Sequence, residues 1–133
     1  MRRTFWIRIL SVFLGAGFAA YAQAASGPPA YHVADEVTLT GKVVKVETVP
    51  DWMGKDGVNI ALELPDSGRA SHVDVATAGF LRMFDFQIAI GDELKMVGCW
   101  SQSADGTPVF LVHELKKQRV TLNVRGPVGQ PLW

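Results

Sequence analysis

From Val37 onward the chain alternates apolar and polar residues, and the places where the alternation breaks are as informative as the runs. Val37, Leu39, Gly41 and Val43 share one face, whereas Val44 and Val46 add apolar residues of the opposite parity. A phase slip beside a glycine predicts a long strand bent at a bulge near Gly41, able to serve two sides of a barrel. Residues Pro50 to Gly57 form a glycine-punctuated loop. Val58, Ile60, Leu62 and Leu64 then alternate cleanly, predicting a second, half-buried strand. After the turn at Pro65 to Gly68, Val73 and Val75 mark the buried side of a third.

The period of two is lost at Ala78 to Phe84. Phe80, Leu81 and Phe84 follow helical spacing, and Thr77 stands where an N-cap hydroxyl belongs, so a short helix covering an apolar surface is expected. The turn Ile90-Gly91-Asp92 leads into a fourth strand with Leu94 and Met96 inward. A polar hairpin loop from Ser101 to Pro108, turning at Asp105-Gly106, leads to a fifth carrying Val109, Leu111 and Leu115. The predicted fold class is therefore all-β with one short helix, in the order β-β-β-α-β-β. That is the order of the OB-fold, a small five-stranded Greek-key barrel. Closure would also remove exposed strand edges. An open sandwich of the same strands satisfies the same pattern.

The two ends of the chain stand apart from this barrel. Arg2 and Arg3 precede an apolar run from Ile9 to Ala20 and a small-residue site at Ala22-Gln23-Ala24, which predicts a signal peptide over residues 1–24, cleaved after Ala24. Arg2-Arg3-Thr4-Phe5 also fits part of a twin-arginine signal, although ordinary Sec export is the expected route. Removing 24 residues from 133 leaves 109, enough for one domain and no transmembrane segment. The expected location is the periplasm. The signal contains three arginines and no acid, so the formal net charge of zero becomes −3. That balance opposes nucleic-acid binding. Residues 25–34 read as a flexible leader, 35–118 as the barrel and 119–133 as a C-terminal hairpin. In the hairpin, Val120, Leu122 and Val124 alternate, Gly126 to Gly129 reverses the chain, and Leu132 and Trp133 return apolar bulk. The tail is expected to cap an open barrel end, with docking of an envelope partner as the other reading.

Two sets of stretches resemble known families. VTLTGKVVKV, Val37 to Val46, resembles the first strand of the periplasmic bacterial OB-fold family. HVDVATAGFLRMF, IGDELKMVG and LNVRGPVGQPLW are similar to parts of uncharacterised exported bacterial proteins that share a strand, a short aromatic helix, a Gly-Asp turn and an LRDxxGxPLW-type tail. Here Asn123-Val124 stand before Arg125, and Gly126 takes the usual acidic place. The resemblance implies an envelope-located binding or accessory domain, and it carries over no catalytic residue.

The candidate chemistry is correspondingly modest. The chain has no G-x-S-x-G, H-E-x-x-H, C-x-x-C-H or phosphate-cradling glycine loop, so no enzyme activity and no cofactor are expected. The single cysteine, Cys99, cannot form an internal disulfide, and its apolar neighbours predict a packed thiol. In OB-folds the ligand face spans strands two and three between the first and fourth loops. Trp52 and Met53 in the first loop, with Trp100 beside the fourth, are the candidate binding residues for a periplasmic protein or small-molecule ligand. His72 and Asp74 share a strand face, and could hold a divalent metal if His113 or Cys99 joined them. An exposed polar face explains that pair more simply. Lys116 to Arg119 could meet phosphate or an anionic lipid surface, though a solvated strand end is the expected reading; Asp35-Glu36 and Asp92-Glu93 read as solvated charge.

Overall fold

The computed structural model describes residues 27–66 and 68–133. The expected signal peptide and its cleavage site lie outside the described residues. Six strands form one sheet: β1 (Val37–Pro50), β2 (Asp56–Glu63), β3 (Arg69–Thr77), β4 (Glu93–Gln102), β5 (Pro108–Lys117) and β6 (Val120–Asn123). The helix α1, Ala78–Met83, lies between β3 and β4. Strands run in the order β3-β2-β1-β4-β5-β6, and a parallel β3–β5 pairing closes the first five into a barrel. β6 hydrogen-bonds to β5 outside that ring. This is the OB-like barrel that the element order predicts, and the open sandwich is excluded.

The length of β1 explains the closure. Val37 to Lys42 pair with β4, and Lys42 to Pro50 pair with β2, so one strand belongs to both sides. The irregularity that re-aims it falls between Val43 and Lys45, slightly beyond the predicted bend. Gly41 has a different purpose: a Cβ there would come within 2.8 Å of the Glu63 carbonyl oxygen. Gly98 works similarly, since its Cβ would stand 2.1 Å from the Leu111 carbonyl oxygen, at the register shift where β4 pairs with β5.

The barrel interior is filled by Val43, Ile60, Leu62, Val73, Val75, Leu94, Met96, Phe110, Val112 and Leu115, all buried. Thr77 Oγ1 accepts the Phe80 N–H at 3.2 Å, so α1 starts at the expected cap and drives Phe80 and Leu81 into the core. Phe84 departs from the expectation and remains half-exposed. Asp85 takes a positive φ of 53° just after the helix, and that reversal buries Phe86 instead.

β5 is buried on both faces, which its period alone conceals. Phe110 and Val112 point inward, while Val109 and Leu111 belong to an outer surface shared with Cys99. Residues expected as a loose leader cover that surface. Ser101 Oγ donates to the Ala30 carbonyl at 2.7 Å, and His32 N–H contacts Cys99 Sγ at 3.4 Å. A 3-10 turn at Val33–Asp35 then delivers the chain to β1. Among the described residues no helix is long and apolar enough to cross a membrane.

Candidate binding groove and a buried arginine

The β1–β2 loop is organised around Asp51, whose backbone bonds Lys55 and Gly54 across the turn. Asp51 Oδ1 accepts the N–H groups of Met53 and Lys55, both at 2.8 Å, so the loop wraps around a carboxylate. Trp52 and Met53 consequently face outward, at 50% and 54% exposure. On one side of Trp52 lies a hollow of about 350 Å³. Asn59 of β2, His72 and Asp74 of β3, and Ser103 and Ala104 of the β4–β5 loop contribute to its lining. The first and fourth loops thus border a trough over β2 and β3. Trp52, His72 and Asp74 meet there. Trp100 stays outside this lining and packs edge-on to Phe110, ring centroids 5.2 Å apart.

On the other side of Trp52 is a second hollow of about 250 Å³. It shares Asp51, Trp52 and Asp74 with the first and is closed by Tyr31, Arg125, Gln130 and Trp133. Arg125 is only 6% exposed. Its Nε donates to the Val112 carbonyl at 3.1 Å and its Nη1 to the Gly129 carbonyl at 3.0 Å. The guanidinium lies 5.1 Å from the Tyr31 ring centre and 5.3 Å from that of Trp133. One cation therefore gathers strand β5, the tail and the N-terminal segment. Burial pulls its pKa down, against the attraction of Asp74 and Tyr31. Asp74 is shifted upward by burial; Arg125 opposes that shift and Asp51 reinforces it. Asp51 Oδ2 is buried without a hydrogen-bond partner among the described residues.

Behind Arg125, Glu36 Oε2 accepts from the Tyr31 hydroxyl and pairs with His113 Nδ1 at 2.6 Å. Burial disfavours the Glu36 carboxylate, but those two hydrogen bonds outweigh it and hold its pKa below the usual range. Burial and the neighbouring carboxylate push the Tyr31 hydroxyl strongly upward. Glu36, expected as solvated charge, is instead the tie between the N-terminal segment and β5.

The metal reading loses its additional ligands. Among the described residues no group of three His, Cys, Asp or Glu side chains could hold a metal ion. His113 is engaged by Glu36, and Cys99 lies under His32, away from the trough of His72 and Asp74. Leu132, expected to pack with Trp133, is 48% exposed; Trp133 alone packs against the core cluster, 6.4 Å from Phe80. The sequence reading missed Tyr31, Asp51 and Arg125. The available signal was an arginine between Val124 and Gly126, at the end of an apolar alternation.

No curated protein matches the chain. A family model does match, over residues 35–122, from the turn before β1 to the inner part of β6. The family is bacterial, as the resemblance implied, but differs from the exported OB-fold family inferred from the first strand. The match covers well over half of the sequence, and this small barrel protein belongs to the MamS/MamX magnetosome protein family.

Proposed function

We propose that this family member is an exported, non-catalytic accessory domain that binds a partner segment or small ligand in the trough beside Trp52, in the service of the magnetosome. The observation that carries the reading is the half-exposed Trp52 indole, held by the Asp51 turn above Asn59, His72 and Asp74. An aromatic plane beside amide, imidazole and carboxylate groups supplies stacking and hydrogen bonding. The family description supports the magnetosome as the setting. The N-terminal charge and apolar pattern supports export to the periplasm.

A photo-crosslinking residue at Trp52, with Val120 on β6 as control, tests the site in the native cell. The expected result is a defined adduct from position 52 that weakens in His72→Ala. Equal adducts from both positions, or none from position 52, refute it. Export is tested by N-terminal sequencing of the protein recovered from the envelope. A new terminus at Ala25 supports cleavage, and an intact Met1 in the cytosol refutes it.

A further inference from the structure

Beyond Trp133, on the side away from the trough, a third and larger hollow of about 640 Å³ opens between α1, the β1–β2 loop and the tail. That volume lies within the range of small-molecule sites, about 300–1,000 Å³. The larger part of its wall is apolar, with Phe80 and Met83 from α1 and Leu132 and Trp133 from the tail. Met83 is 73% exposed and Leu132 nearly half so, although a small barrel gains by covering such side chains. Hydrocarbon surface is therefore presented to whatever enters.

The rim carries the second half of the pattern. Lys55 and Arg82 both line the hollow, and Asp56 is the one acidic side chain in the lining. Among the described residues neither cation belongs to an ion pair. A methyl group built on Gly79 would lie 3.8 Å from Arg82 Nη2, so the guanidinium folds back over the start of α1 and toward the hollow. Two cationic side chains outside any ion pair among the described residues place positive charge beside an apolar wall.

We propose that this hollow is a binding site for an amphiphilic anion, a hydrocarbon chain ending in a carboxylate or phosphate. The chain lies along Phe80, Met83, Leu132 and Trp133, where removal of apolar surface drives binding. The head group sits between Lys55 and Arg82, which select its charge. This site is independent of the trough beside Trp52 and stands or falls without it. The same chemistry has two sources, a free amphiphile and the anionic surface of a bilayer.

Titration calorimetry of the full chain with dodecanoate and dodecyl phosphate, below micelle formation, tests the first source. Dodecyltrimethylammonium supplies the same tail with the opposite charge. The anions are expected to bind at least about tenfold more tightly than the cation. The Lys55→Glu/Arg82→Glu variant should erase that preference, and because both side chains are exposed its fold is expected to survive. Flotation with phosphatidylglycerol or phosphatidylcholine vesicles tests the second source. Anion-dependent flotation lost in the double variant, without monomer binding, assigns the site to a bilayer surface. Monomer binding without flotation assigns it to a free amphiphile. Equal affinity for both head-group charges, an unaffected double variant, or binding in neither experiment overturns the proposal.

Discussion

Replacing Arg125 by methionine would show what holds the tail to the barrel, and its effect should depend on pH in a defined direction. The substitution keeps an unbranched stem and removes the donors to the Val112 and Gly129 carbonyls. Hydrogen bonds from a charged group contribute about 1.5–3 kcal/mol each. Part of that is returned, because a guanidinium only 6% exposed no longer has to be desolvated. A net loss of about 2–4 kcal/mol near pH 7 is expected. Asp74 supplies the pH dependence. Burial raises its folded-state pKa and Arg125 lowers it, so without Arg125 the folded value rises further. A carboxyl group whose pKa is raised on folding costs nothing below its unfolded value near 3.9, and destabilises as pH climbs through the folded value. The variant's deficit must therefore grow between pH 4 and pH 7, by about 1.4 kcal/mol for each pKa unit that Arg125 had supplied, less the screening of a partly exposed carboxylate. Urea unfolding of both proteins across that range measures the difference, in which carboxylates unaffected by Arg125 cancel. A pH-independent deficit would refute the coupling to Asp74, and a deficit below about 0.5 kcal/mol would refute the anchoring role itself.

Trp133→Ala should lower stability by about 2–3 kcal/mol, less than a fully buried aromatic truncation, because the ring is only partly covered; thermal unfolding reads this, and an unshifted melt would leave the tail without a stabilising role. Glu36→Gln should flatten the acid limb of the stability curve. Glu36 is depressed on folding, so its contribution is present above its unfolded pKa of about 4.3 and is lost as pH falls through the lower folded value. Parallel acid titrations followed by circular dichroism check it, and identical limbs would show that the Tyr31–Glu36–His113 tie contributes nothing.

The strands, the helix and their order were legible in the sequence because each is a local decision. Alternation of Val58, Ile60 and Leu62 marks a strand whatever it pairs with, and Thr77 three residues before Phe80 starts a helix wherever the chain goes next. Trp52 was also legible as a loop aromatic, since Asp51 before it and Gly54 after it favour a turn. The meeting of distant segments was not. Arg125 reads locally as one more polar residue after a strand, and becomes a buried anchor only because Tyr31 and Trp133, 94 positions before it and 8 after it, close on both sides in space. Val109 and Leu111 break the expected half-buried pattern because residues 28–34 cover the outside of β4 and β5, and Gly/Pro content says nothing about where a segment docks. Trp100 and Leu132 show the converse: equal hydrophobicity put them in the same candidate groups as Trp52 and Trp133, and only their strand position and the path of the tail separate them. Short-range periodicity therefore determined the elements. The choice of which charges are buried, which aromatics remain available and which hollow each one faces depended on barrel closure, where contacts between segments far apart in sequence replace local pattern as the controlling energy.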